Sequence, residues 1–190
     1  MKAFNEIKLK IAWQSVLESL GIDHENDLNF KETPQRIVRM YNEIFAGLLD
    51  GDLTELEDHI TKTFPSSYEG LVAVKNIQVW GTCPHHFLPV EYHVNVGYLP
   101  GNVVLGVSKL PRVVEVLAQR PVLQEQLTYD IVNYLERSLS PKGVIAQVKG
   151  RHHCMIVRGI KQPNSWVSTS SITGIFHQTS SLIQEFENMP

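Results

Sequence analysis

From Val90 to Tyr98 the chain alternates strictly, with Val90, Tyr92, Val94, Val96 and Tyr98 on one side and Glu91, His93 and Asn95 on the other. A period of two admits a strand with one buried face and excludes a helix. A second β-rich stretch, Leu71 to Trp80, comes just before it. The residues between them, Gly81 to Pro89, are enough only for a turn, so the two strands are expected to run antiparallel. Any fold for this chain has to contain that hairpin. His93, in mid-strand, reads as a surface or interface residue.

The turn itself carries chemistry. Cys83-Pro84-His85-His86 places a thiol and two imidazoles within four residues, and a Cys-x-x-His pair can offer one sulfur and one nitrogen to a single ion while the proline helps to turn the chain. A closed structural zinc site needs four protein ligands, and no C-x-x-C or H-x-x-x-H module is present to complete one. The second of the two cysteines is Cys154, in His152-His153-Cys154. With Cys83, His86 and Cys154 as ligands the ion would keep one position open to solvent, the catalytic arrangement, and two thiolates with an imidazole favour zinc over magnesium or calcium. The same residues also fit two buried thiols or a single disulfide, with histidines satisfying polar groups near strand ends. Recurrence of His and Cys together in the second cluster favours the metal.

At 190 residues the chain suits one domain with a small helical appendage. Seventeen basic against twenty acidic residues give a net charge of -3. That balance argues against a nucleic-acid or polybasic membrane surface while leaving room for a local basic pocket. Two cysteines do not make a secreted disulfide scaffold, the opening MKAFNEIKLK lacks the apolar run of a signal peptide, and no apolar stretch approaches membrane-spanning length. The expected compartment is the reducing cytoplasm.

Along the rest of the chain, Ile7, Ile11, Val16 and Leu20 predict a first helix over 6–20, with Gly21 as its stop. A polar loop follows from His24 to Lys31. Thr33 as N-cap and Pro34 at the first helical position predict a second helix, striped by Ile37, Met40, Tyr41, Ile44 and Phe45. Arg36 sits in its first turn, where the macrodipole gives a cation no help, so it is either a solvated arginine or one that faces an anion. Leu48 to Thr63 reads as an acidic connecting segment. After an apolar run at 103–107, Ser108 caps a helix that runs to Ala118. Ser108, Lys109 and Arg112 at its start make a plausible anion seat that lacks the glycines of a P-loop.

Pro121 is expected to open another helix, in which Leu123, Leu127, Ile131, Leu135 and Leu139 recur every fourth residue. Gln124 and Glu125 lie in its first turn, either solvated or placed to read a base edge. Two more strands are predicted, 143–149 and 154–160, with Arg158 as an exposed strand charge or a phosphate contact. The stretch 165–175 reads as an extended edge, and 179–187 as a short polar helix.

These blocks together resemble GTP cyclohydrolase I, from Glu32 to the C-terminal helix. The resemblance is carried, in order, by Glu32-Thr33-Pro34-Gln35-Arg36-Ile37, Thr82-Cys83-Pro84-His85-His86-Phe87, Gly106-Val107-Ser108-Lys109-Leu110, Ala118-Gln119-Arg120-Pro121 with Gln124-Glu125, and His152-His153-Cys154-Met155 with Arg158-Gly159. It implies an α+β tunnelling fold over 64–190, an antiparallel sheet with two helices on one face, preceded by an N-terminal helical segment over 1–63. It also implies a homodecamer with active sites between subunits. Cys83, His86 and Cys154 match the family's zinc ligands, and His85 and His152 its acid-base histidines. Ser108, Lys109, Arg112, Arg158 and Arg36 match residues that hold the triphosphate or assist the ribose chemistry, and Gln124 and Glu125 those that read guanine.

The implied reaction is hydrolytic opening of the imidazole ring of GTP, release of formate and rearrangement to 7,8-dihydroneopterin triphosphate. The chain departs from the family pattern at Pro84 (usually Glu), Tyr92 (usually Gly), Gln126 (usually Arg) and Arg151 (usually a small residue), none of them an expected ligand or acid-base group. Two alternatives remain beside this reading: a zinc enzyme of the same fold acting on a related purine or pterin, and a catalytically silent homologue.

Overall fold

The computed structural model describes residues 4–49 and 62–190. Most of the connecting segment expected over 48–63 lies outside them. The chain forms two compact units, residues 1–51 and 52–190.

The N-terminal unit is built on α1 (Glu6–Ser19), α2 (Thr33–Ile44) and the single turn α3 (Ala46–Leu49). Asn5 caps α1, its side-chain oxygen accepting from the Lys8 N–H at 2.9 Å. α1 and α2 pack together with the Trp13 ring edge-on to Tyr41, centroids 6.3 Å apart, and bury Leu17, Val38 and Phe45. The predicted stripe of α1 is not the face that is buried: Ile7 and Leu20 are 75% and 69% exposed. Residue 33 is already helical and Glu32 takes the cap position without a side-chain bond, one residue earlier than expected.

The second unit is organised by one sheet of four antiparallel strands in the order β2-β3-β5-β6, where β2 is Val72–Thr82, β3 Pro89–Leu99, β5 Gly143–His152 and β6 Val167–Ile172. A separate short pair joins β1 (Thr63–Pro65) to β4 (Val103–Leu105). Every even residue of β3 from Val90 to Tyr98 is fully buried. That face is covered by α4 (Lys109–Ala118) and α5 (Gln124–Leu139), which contribute Leu110, Val113, Val114 and Leu117, and Leu127, Ile131, Leu135 and Leu139, to one core. Each such side chain contributes about 1.5–3 kcal/mol of burial free energy. The opposite face is polar along Glu91, His93 and Asn95. Toward its other end it receives Phe186 of α7 (Ser180–Asn188) against Gly97, where a Cβ would fall 2.9 Å from the ring. An antiparallel sheet with two helices on one face and helices ahead of it in the chain is the subunit arrangement of the tunnelling fold.

Three local features differ from the sequence-based expectations, each for a physical reason. β2 contains one extra residue between Val74 and Ile77, with Asn76 at φ +55°. This bulge moves the core-facing set from even positions (the partly buried Val72 and Val74) to odd ones (the buried Ile77 and Val79), so no single alternation runs through β2. The helix expected at Pro121 begins at Gln124, because 121–122 stays extended along the end of β2, with the Val122 N–H donating to Thr82 O at 3.2 Å. The strand expected over 154–160 is replaced by one helical turn, α6 (His153–Ile156). β5 can pair only as far as His152, which lies opposite Val90; its partner strand begins at Pro89, which has no N–H to give. The chain therefore turns inward after His152.

Candidate metal centre

That inward turn brings the two cysteines together. β2 ends at Thr82 and β5 at His152, both at the sheet end where β3 begins. Cys83 is the first residue of the connection between β2 and β3, and its backbone closes that connection: Cys83 N–H donates to Leu88 O and Phe87 N–H to Cys83 O, each at 2.9 Å. The tight loop holds Cys83 buried while His85 and His86 stand exposed, each with Nδ1 4.0 Å from Cys83 Sγ. Cys154, half-buried in α6, approaches from the other side.

Both cysteines are free thiols. Donor atoms of Cys83, His152 and Cys154 all lie within 4.8 Å of one another. The three donors that cluster most tightly thus include His152, whereas His86 approaches Cys83 alone at the distance given. His153, between the two, is directed elsewhere, its Nδ1 donating to Pro89 O at 3.0 Å.

The donor set suits a metal. Burial pushes the Cys154 thiol up, and the hydrogen bond and charge of Cys83 push it further, against a smaller opposing effect of Arg158. Two adjacent thiols ionise together only when a cation offsets their charge. Sulfur and imidazole donors in a group of three fit a zinc site with an open position.

Gln124 orients His152. It is buried at the start of α5, its amide nitrogen shared among Val148 O, Val167 O and Thr169 Oγ1 at 3.0–3.2 Å, which ties the helix to β5 and β6. Its carbonyl Oε1 is 2.9 Å from His152 Nε2. An amide oxygen only accepts, so His152 carries its proton on Nε2, and in the neutral ring Nδ1 is the basic atom. Burial pushes the His152 imidazole below its ordinary value, with Glu125 pulling the other way. Engaged in this way, the Gln124 amide lies buried against β5 and β6, whereas Glu125, next to it, is exposed.

Gly150 makes this possible. A Cβ there would fall 2.1 Å from Gln124 Oε1 and 3.0 Å from Tyr92 Cε1. Because Gln124 is tethered, Gly150→Ala is expected to destabilise the protein by about 1–3 kcal/mol, the usual scale of overpacking. Thermal melting checks this: a variant that melts with the wild type would mean that Gln124 yields freely.

Among the expected anion residues of this unit, Arg158 is close enough to Cys154 to act on its thiol, and those at the start of α4 lie apart. Exposed Ser108 precedes α4 without making a side-chain cap bond. That end of α4 is at the Tyr98 end of β3, where Leu105 N–H donates to the Tyr98 hydroxyl at 2.8 Å, whereas Ala118 at the far end approaches Gly81. The ten-residue helix carries Ala118 about 14 Å along its axis from Lys109. Arg112 is exposed on the first turn, and Arg158 is exposed in the segment after α6. Arg36 belongs to the N-terminal unit, with its guanidinium 3.0 Å from Glu32. Sequence reasoning missed Tyr92 as a site residue; its side chain is fully buried with its ring edge-on to His152, centroids 6.2 Å apart.

Comparison with known proteins agrees with this geometry. The family profile described as GTP cyclohydrolase I matches residues 9–189. A protein of Carboxydothermus hydrogenoformans named GTP cyclohydrolase 1 is 41% identical over 170 residues, 89% of this chain and 86% of that one. Its counterpart of the same name in Streptococcus mutans is 40% identical over 179 residues, covering 94% and 91%. A match over nearly the whole length, together with two thiols and an imidazole gathered at one sheet end, shows that the chain is an enzyme belonging to the GTP cyclohydrolase I family.

Proposed function

We propose that the protein opens the imidazole ring of GTP by hydrolysis, releases formate and rearranges the remainder to 7,8-dihydroneopterin triphosphate. The observation that carries this reading is the gathering of Cys83, His152 and Cys154, with His85 and His86 on the adjoining loop, in a chain of this family. Cys83, His86 and Cys154 would hold Zn2+. When bound, the metal supplies Lewis acidity and activates water near neutral pH. A second reading, favoured by the closeness of His152 to both thiols, makes His152 the nitrogen ligand in place of His86.

The remaining work falls to side chains. His85, exposed beside Cys83, delivers a proton to purine N7 as the ring opens at C8. His152, held by Gln124, moves a proton through Nδ1 in the later ribose rearrangement, which Ser108 assists. Glu125 accepts from guanine N1–H and the exocyclic amine. Adenine has no such pair of donors on that edge, so ATP is rejected. Arg36, Lys109, Arg112 and Arg158 offset the triphosphate charge.

The start of α4 lies at the end of β3 remote from the thiols, which supports a site completed by another copy of the chain. The exposed apolar stripe of α1 also favours self-association, and a homodecamer is the expected assembly. Among the described residues no helix is long and apolar enough to cross a membrane. Thiol ligands in reduced form suit the cytoplasm.

The test is incubation of zinc-loaded protein with GTP. Formate is expected in step with GTP consumption, together with a pterin that fluoresces after oxidation, and His85→Ala should slow both by on the order of 100-fold. Unchanged GTP in the presence of bound zinc would sink the proposal in favour of a different purine substrate or a silent homologue.

A further inference from the structure

β3 places Tyr92 on the face turned toward α4 and α5, opposite Val79 of β2 and Gly150 of β5. The ring fits only because two flanking positions lack side chains. A Cβ on Gly81 would fall 2.6 Å from Tyr92 Cε2, and one on Gly150 3.0 Å from Cε1. The residue is fully buried, yet its hydroxyl has no hydrogen-bond partner among the described residues. Phenylalanine would fill the same hole without that cost, since a buried hydroxyl left unpaired is destabilising.

The surroundings say what the hydroxyl is for. Tyr92 and Cys83 belong to one buried cluster against which Cys154 packs, and the ionisable groups that act on the hydroxyl are these two thiols and Glu125. Its ring meets the edge of the His152 imidazole. A phenol is a donor at neutral pH, and a metal-bound thiolate is an acceptor whose charge a neighbouring N–H or O–H can share.

We propose that Tyr92 is a positioning residue of the metal centre, its buried hydroxyl donating a hydrogen bond to the sulfur pair of Cys83 and Cys154 when these are ionised around the metal. The inference rests on the metal-centre reading above. The bond steadies the thiolates and withdraws charge from them, which strengthens the metal as a Lewis acid.

Tyr92→Phe removes the oxygen and keeps the ring between Gly81 and Gly150. Zinc affinity, measured by competition with a chelator, is expected to fall about 10- to 100-fold. The thiolate-to-metal absorption band of the cobalt(II)-loaded protein should shift, while the metal-free variant melts at or above the wild-type temperature. Equal zinc affinity and an unchanged cobalt spectrum would overturn the role of Tyr92. So would a lowered melting temperature of the metal-free variant, which marks a purely structural hydroxyl. Wild-type protein that binds no zinc would instead overturn the metal centre itself, and this role with it.

Discussion

Replacement of Cys154 by serine is expected to strip the protein of zinc and to lower turnover of GTP by more than about 100-fold, since loss of a ligand exceeds the 10- to 100-fold cost of losing a ligand's supporting partner. The physical ground is the pairing of two thiols in a half-buried place. Burial and the neighbouring Cys83 both hold the Cys154 proton on, and a divalent cation is what makes release of that proton favourable. A serine hydroxyl does not ionise under the same conditions and is a poor zinc ligand. The fold should survive, because Cys154 sits in the one-turn α6 beyond the last pair of the sheet. Metal analysis and thermal melting with and without zinc check this: added zinc should raise the melting temperature of the wild type only. Full zinc content in Cys154→Ser would sink the two-thiol site.

The elements that were legible in the sequence are those whose period one packing surface enforces. β3 alternates without a break because its even residues all face α4 and α5, and the four-residue recurrence of α5 holds from Leu127 to Leu139 because that stripe lies on the same core. Leu123, one step earlier, is 46% exposed because the helix has not yet begun. What could not be read depended on partners distant in the chain. The bulge at Asn76 is set by pairing with β3, and the Asn95 side chain accepts the Asn76 N–H at 2.8 Å. The end of β5 is set by the start of β3, and local apolar content over 154–160 carries no trace of that limit.

The site divides along the same line. Cys83, His85 and His86 were legible because four residues of a hairpin turn put them together. The joining of Cys83 with Cys154 follows from two strand ends and a turn, and only the recurrence of His beside Cys hinted at it. The resemblance implies a base-reading role for Gln124, and the structure adds that its amide is already engaged by β5, β6 and His152. Tyr92 gave the signal of any buried strand residue. Gly81 and Gly150, which leave room for it, became meaningful only once their register against β3 was known.

The identity of the nitrogen ligand separates into two variants with opposite outcomes. His86→Ala is expected to lose zinc, because His86 shares the closed loop of Cys83 and its Nδ1 already stands 4.0 Å from that sulfur. His152→Ala is expected to keep zinc, because the proposed role of His152 is proton transfer, with its Nε2 held by Gln124. Both should lower turnover by about 100-fold or more, so activity alone does not discriminate, and metal content does. The His152→Ala protein also leaves Gln124 Oε1 buried without its donor, which should cost about 1–3 kcal/mol and lower the melting temperature. That loss is absent in His86→Ala, whose ring is exposed. Zinc lost from His152→Ala and kept by His86→Ala would transfer the ligand role to His152, in line with its closeness to both thiols. Zinc kept in full by both variants would mean that neither imidazole holds the metal, and the three-ligand centre would fall.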